Sequence, residues 1–275
     1  TLWCLSYRCT MMVQTILSHI SIYGLLASCG GIAVCFWLFS YERRCCDTRL
    51  AGGIDLAAVY GLMGAVFGAK ILYLATIWPI LTEDLPLLNR SRELFFEKYL
   101  YAGFVYYGGL IGYFWAINLY GRFSRIRYAE LAKPLVPALA LFHAFGRLGC
   151  LLQGCCYGIR TQSHFAVIYH NSAVAPRGVP LFPVQLIEAG LEAAIFALLL
   201  NCLKRGIEGD RLTAIYLITY GSCRFVLEFF RGDSYRGIFC GFSLSQYISL
   251  FGIAIGIVMI CAGRRSRRVD SSTPE

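Results

Sequence analysis

The chain has 275 residues, 57% of them hydrophobic and only 15% charged, with a mean hydropathy of +0.59. Soluble domains carry about a quarter charged residues, so this composition excludes a disordered chain and argues against a water-soluble enzyme. The net charge of +9 is carried mainly in short loops between long apolar runs, which speaks for membrane topology and against nucleic acid.

Residues 1–15 read as an N-terminal extension. Thr1–Thr10 has neither signal-peptide nor helical character, and Met11 and Met12 stand just before the first apolar run, so the first ten residues read as an upstream translation remnant. About 20 apolar residues cross a bilayer, and seven runs approach or exceed that length. In chain order they are Ile16–Tyr41, Ile54–Leu81, Gly103–Leu119, Leu135–Leu152, Leu186–Leu203, Leu212–Phe230 and Leu244–Ala262. Helices are expected, because lipid offers no partner for free backbone groups. The first run lacks a cleavage site after a short core and is expected to be retained. The fold class is therefore all-α, a polytopic bundle of seven transmembrane helices over 16–262. A small outer segment at 154–185 and a basic tail at 263–275 complete it.

Orientation follows from Lys and Arg. Fourteen lie in the loops around Arg43–Arg49, Arg122–Lys133 and Lys204–Arg211 and in the tail from Arg264. Only eight lie on the other side, in longer loops. The N-terminus is expected outside and the C-terminus in the cytoplasm. Of the thirteen cysteines, Cys29, Cys35, Cys202, Cys223 and Cys261 fall within spans and read as small apolar residues. Cys45 and Cys46 face the reducing side. Cys150, Cys155, Cys156 and Cys240 fall near the outer face, where pairing is permitted. A zinc site from Cys155, Cys156, His164 and His170 matches no familiar ligand spacing, so no metal is expected.

Charges inside spans cost about 2.5–3.5 kcal/mol each on insertion scales and need a partner or a polar cavity. They are Lys70, Arg147, Glu188, Glu192, Arg224 and Glu228, with Arg231 closing the sixth run. Tyr220, Arg224, Glu228 and Arg231 fall within about 80° of one helix face. A structural ion pair between Arg224 and Glu228 would explain that helix alone, but charges on three spans favour a shared cavity. Arg147, flanked by Gly146 and Gly149, suits an anionic head group because its planar fork binds phosphate bidentately. His143 reads more readily as a satisfied core residue than as a ligand.

These residues carry a resemblance. The elements are Tyr23-Gly24, Gly68-Ala69-Lys70 with Tyr73, Gly108-Gly109-Leu110-Ile111-Gly112, and Gly146-Arg147-Leu148-Gly149. They continue through Phe182–Ala189 and Tyr220–Arg231 to Leu244–Leu250. In that order they resemble the prolipoprotein diacylglyceryl transferases of the bacterial inner membrane. The resemblance implies transfer of the diacylglyceryl group of phosphatidylglycerol to a cysteine thiol in a lipobox-containing prolipoprotein, with glycerol phosphate leaving. The implied partners are those two substrates and membrane lipid, with no nucleic acid, and no cofactor or metal is required.

The same resemblance assigns catalytic roles to Arg147, Arg224, Glu228, Tyr107 and Glu188. It assigns substrate contacts to Tyr23, Lys70, Gly108, Gly109, Gln153, Gly158, Tyr220, Arg231 and Gln246. The chain departs from the family pattern at Tyr107, where His is usual, and at Lys70, where Arg is common. Cys150, Gln153 and Cys155 stand where the family usually shows two Asn and a Glu. A non-catalytic lipid-binding or transport protein on the same scaffold remains the alternative. A thiol redox protein built on Cys150, Cys155 and Cys156 is weaker, because adjacent cysteines are not the Cys-X-X-Cys spacing.

Overall fold

The computed structural model describes residues 22–44, 48–86, 91–96, 98–99, 103–172, 174–232 and 238–270. The extension 1–15, the start of the first expected span, Cys45, Cys46 and Arg236 lie outside the described residues. Seven helices of at least 19 residues are described: α1 (Ile22–Glu42), α2 (Thr48–Thr76), α5 (Tyr106–Ser124), α6 (Tyr128–Gln153), α7 (Val184–Lys204), α8 (Gly209–Leu227) and α9 (Leu244–Asp270). Two short helices, α3 (Trp78–Glu83) and α4 (Arg92–Phe96), fill the connection between α2 and α5. Five of the long helices, α1, α2, α6, α7 and α9, contain stretches long and apolar enough to cross a membrane. Their apolar side chains turn outward: Phe36, Ile71 and Phe251 are each at least 67% exposed, while ionisable groups lie inside. That inversion fits lipid as the surrounding solvent, and the chain is a multi-pass membrane protein.

Helix α6 is the hub, packing against α1, α2, α5, α7 and α8, while α2 pairs with α5 and α9 with α8. The α2–α5 pair depends on glycine. A Cβ on Gly112 would lie 2.0 Å from the Gly64 carbonyl oxygen, and one on Gly68 would lie 2.2 Å from that of Gly108. Only bare backbones approach this closely, the small-residue packing of membrane helices. Side-chain donors fasten two neighbours to the hub: Trp37 Nε1 donates to the Pro134 carbonyl at 2.8 Å and Tyr113 Oη to that of Leu135 at 2.8 Å.

Several boundaries differ from expectation: the second expected run breaks at Ile77, with α2 spanning Thr48–Thr76, and α5 runs from Tyr106 on to Ser124. Helix α6 starts at Tyr128, seven residues before the expected span, and runs through Pro134 and Pro137. Both prolines lie in its first three turns, buried against neighbours. Helix α8 stops at Leu227 and tightens into a 3₁₀ turn, Glu228–Phe230, so the sixth run is not one α-helix to Phe230. Helix α9 continues to Asp270, into the tail expected to begin at residue 263.

The expected outer segment is irregular chain pinned by a small antiparallel pair, β1 (Val167–Ile168) and β2 (Pro180–Leu181), with isolated bridges Gly158–Arg231 and Arg160–Leu181. It sits on the C-terminal end of α6: Tyr169 Oη donates to the Leu151 carbonyl at 2.9 Å, and Gln185 Nε2 to that of Cys155 at 2.8 Å. A second hairpin, β3 (Ile238–Phe239) with β4 (Phe242–Ser243), turns on Cys240 and Gly241 and leads into α9. The ends of α6 and α8 and the starts of α7 and α9 meet this cap.

Candidate active site

Below the cap, the sequence places two ionisable pairs at i, i+4 on facing helices: His143 and Arg147 on α6, Glu188 and Glu192 on α7. The register between these helices makes the four residues one chain. Glu192 Oε1 lies 2.6 Å from His143 Nδ1, Arg147 Nε donates to His143 Nε2 at 3.0 Å, and Arg147 Nη2 lies 3.0 Å from Glu188 Oε1. Helix α8 extends it, with Arg224 Nε 3.9 Å from the same Glu188 oxygen and Arg224 Nη2 2.6 Å from Glu228 Oε2. Every side chain in this chain of charges is at most 8% exposed. Glu188 therefore lies between two buried guanidinium groups, the arrangement that keeps them from repelling in low dielectric.

An aromatic wall stands beside the charges. The Tyr106 ring stacks on His143 at 4.1 Å between centroids, and its hydroxyl meets that of Tyr216 at 3.0 Å. Tyr107 is buried, with its hydroxyl 2.5 Å from Ser249 Oγ on α9. Two donors stand out one turn apart on α8. Among the described residues, neither the Tyr220 hydroxyl nor Arg224 Nη1 has a hydrogen-bond partner, although both are buried. Buried polar groups are almost always paired, so these two are available to a bound group. A groove of about 500 Å³ runs between α5, α8 and α9 from Tyr107, Tyr220 and Ser249 outward past Phe114, Trp115 and Phe251. A larger groove of about 970 Å³ along α2 and α5 has no charged residue in its lining and reads as a lipid-facing seam.

The residues singled out from the sequence divide accordingly. Arg147, Glu188, Arg224 and Glu228 form the charged chain, with Tyr107 and Tyr220 beside it. Tyr23 lies at its outer end, its ring against Gly149, where an added Cβ would approach to 2.8 Å. Lys70 is directed elsewhere: its Nζ donates to the carbonyls of Tyr99 and Gly103 at 3.0 and 3.1 Å and lies over the Phe104 ring, tying down the segment before α5. Gly108 and Gly109 face α2, where packing between backbones accounts for both.

Gln246 is buried in a capping box. Its Oε1 accepts from the Ser243 N–H at 2.9 Å while its own N–H donates to Ser243 Oγ at 3.3 Å, the reciprocal arrangement that starts a helix. Gln153 ends α6 with an exposed side chain. Gly158 and Arg231 bridge the cap to the end of α8 through their backbones, and a Cβ on Gly158 would meet the Phe182 carbonyl oxygen at 2.3 Å. For Lys70, Gly108, Gly109 and Gln246 the observed contacts lie within the protein. His143, Glu192, Tyr106 and Ser249 were not among the expected site residues. The i, i+4 spacing of the two ionisable pairs was the available signal, but the facing of α6 and α7 is tertiary.

The thiols gather too. Gly154 takes a left-handed conformation (φ 76°) that caps α6, its N–H donating to the Cys150 carbonyl at 3.0 Å, and reverses the chain. The Sγ atoms of Cys150, Cys155 and Cys156 consequently all lie within 4.8 Å of one another. His164 and His170 are exposed, so the cysteine grouping differs from the one weighed in the sequence. Hydrogen bonding with Cys150 and Cys155, then the fields of Arg231 and Arg147, draw the Cys156 thiol below its ordinary range.

Comparison with known proteins adds an independent line. The sequence model of the family described as prolipoprotein diacylglyceryl transferase matches residues 11–262. The chain is 36% identical over 203 residues to phosphatidylglycerol–prolipoprotein diacylglyceryl transferase 2 of Clostridium perfringens, covering 74% of this chain and 76% of that one. A transferase of the same name from Clostridium tetani is 35% identical over 73% of this chain and 76% of its own. Another from Dehalococcoides mccartyi is 29% identical over 91% and 92%.

Proposed function

The chain belongs to the prolipoprotein diacylglyceryl transferase family, and on that premise we propose that it moves the diacylglyceryl group of phosphatidylglycerol to a cysteine thiol of a lipobox-containing prolipoprotein. The acceptor sulfur attacks the glyceryl carbon that bears the phosphate ester. A C–S bond forms, the C–O bond breaks, and glycerol phosphate leaves with the bonding electrons while the thiol gives up its proton.

One observation carries this reading: a buried Arg147–Glu188–Arg224 chain with Arg224 Nη1 and the Tyr220 hydroxyl still open to a partner. Departure of a phosphate builds negative charge, and fixed guanidinium and hydroxyl donors in a water-poor site stabilise it most. His143 accepts from Arg147 Nε and is itself held by Glu192, so this pair positions the guanidinium. The apolar groove past Phe114 and Trp115 suits acyl chains, and its inner end meets Tyr107. Tyr107, hydrogen-bonded to Ser249, takes the place of the family's usual His as a hydroxyl donor beside the reacting groups, and the proton that the thiol loses passes to the departing phosphate. Tyr23, Gln153, Gly158 and Arg231 lie toward the cap, where a secreted precursor would present its cysteine.

The same reading places the chain in the bacterial inner membrane with seven spans, α5 and α8 included, the N-terminus outside and the C-terminus cytoplasmic. It divides 1–15, 16–262 and 263–275 as extension, catalytic bundle and tail. The loop charges and the seven long helices support it. The test is incubation of the purified protein with phosphatidylglycerol and a lipobox peptide, followed by mass spectrometry. A diacylglyceryl mass added at the peptide cysteine is the expected result. Phospholipid binding with no mass gain would instead make the chain a lipid-binding protein on this scaffold.

A further inference from the structure

Three thiols meet at the end of α6 beside the charged chain, and the function above uses none of them. We propose that Cys150, Cys155 and Cys156 form a three-thiolate site for a thiophilic metal ion of the zinc and cadmium class. The geometry is close to what such an ion needs. A metal–sulfur bond of about 2.3 Å sets three sulfurs about 3.8–4.0 Å apart around a shared ion, and here all three lie within 4.8 Å of one another. Movements below about 1 Å, within side-chain rotation, close that difference. Soft thiolate ligands select soft ions over magnesium or calcium.

The backbone is built for this convergence. Neighbouring side chains of an extended segment point to opposite sides, yet those of Cys155 and Cys156 meet the same third thiol. Cys156 adopts φ 58°, a left-handed conformation that L residues rarely take, and follows the left-handed Gly154. Two such turns within three residues fold the pair back onto Cys150, and Cys155 Sγ donates to the Cys150 carbonyl at 3.8 Å. Strain of this kind collects at functional positions. Three thiolates around a divalent ion leave one negative charge, and Arg147 and Arg231 both lie within electrostatic reach of Cys156 to offset it. Binding releases the thiol protons to solvent and needs no oxidant. The cysteines are half-buried, so an ion can enter from the cap side.

The full chain, reduced and held in detergent, would be dialysed against Cd(II) and its bound metal counted by mass spectrometry. Five variants accompany it: the triple change C150S/C155S/C156S, the three single changes, and a C202S/C261S control. The triple variant should bind one equivalent less than the parent, and each single variant should bind at least about tenfold more weakly, since even outer-shell losses cost that much. The control should match the parent. Cadmium-113 NMR of the unmodified chain should show a sulfur-ligated resonance, which keeps the test valid if the triple variant fails to fold. Equal metal content in parent and triple variant would overturn the proposal. So would a cadmium resonance typical of oxygen and nitrogen ligands, or two of these thiols re-forming a disulfide that excludes metal.

Discussion

Replacing Glu188 by Gln keeps the shape of the side chain and removes the charge that separates Arg147 from Arg224. At 3.0 and 3.9 Å, with an effective dielectric near 20, the two attractions amount to roughly 5 and 4 kcal/mol before desolvation is subtracted. Desolvation of the three groups cancels much of this. Removal of one partner of a buried pair nevertheless costs about 3–5 kcal/mol, because the charge left behind stays uncompensated. Here two guanidiniums are left, with Glu228 to neutralise Arg224 and the His143–Glu192 pair beside Arg147. Glu188→Gln should therefore lower the thermal unfolding midpoint in detergent markedly. Arg147→Ala should lower it less, since Glu188 still has Arg224. The double variant should be less destabilised than the sum of the two, with a coupling of about 1–3 kcal/mol. Unfolding curves for the four proteins supply the cycle. Additive effects, or an unchanged midpoint for Glu188→Gln, would show that Glu188 does not bridge the two arginines and would refute the electrostatic reasoning.

Arg224→Lys keeps the charge but loses the planar fork and the open Nη1, and should reduce peptide transfer by about 10²-fold or more, measured as initial rate. Tyr107→Phe should reduce the rate while Tyr107→His keeps or raises it; equal rates for all three would make the position merely structural. Gln246→Ala removes one half of the capping box and should cost about 1 kcal/mol of stability with transfer rate per folded molecule unchanged. Gly112→Ala forces α2 and α5 apart at the Gly64 carbonyl and should lower the yield of folded protein far more than Gly146→Ala, whose Cβ meets nothing within 4 Å.

The helices were legible because apolar run length is a local property. All seven expected runs coincide with long helices, although Pro134 and Pro137 led to a late start for α6. Those prolines lie inside the helix, in its second and third turns, where local propensity argues against a helix and burial against neighbours overrides it. The charged residues were legible for the same reason: Arg147, Glu188, Arg224 and Glu228 stand out against apolar surroundings whatever the tertiary fold. So was the Arg224–Glu228 pair, from its i, i+4 spacing, whereas the partner of His143 was not. The pairing of His143 with Glu192 depends on which face of α6 meets α7, and no single-chain periodicity fixes that. Gln246 is the opposite case, since Ser243-Leu-Ser-Gln246 is a capping signal that a sequence carries locally. Lys70 stands out in the sequence as a span charge in need of a partner, and the carbonyls and aromatic ring that meet it come from a segment 29 or more residues further on. The three thiols converge only through the left-handed turns at Gly154 and Cys156, and a non-glycine residue in that conformation leaves no mark in the sequence.

The most direct measurement uses phosphatidylglycerol labelled separately in its diacylglyceryl and head-group glycerol moieties, with a lipobox peptide and either the parent chain or Arg147→Ala. With the parent, diacylglyceryl label on the peptide and head-group label in free glycerol phosphate should appear in equal amounts. With Arg147→Ala, both should fall together by about 10²-fold or more, while the variant still inserts and elutes as the parent does. Transfer by Arg147→Ala at the parental rate, or release of glycerol phosphate with no label on the peptide, would contradict a diacylglyceryl transfer centred on the Arg147–Glu188–Arg224 chain.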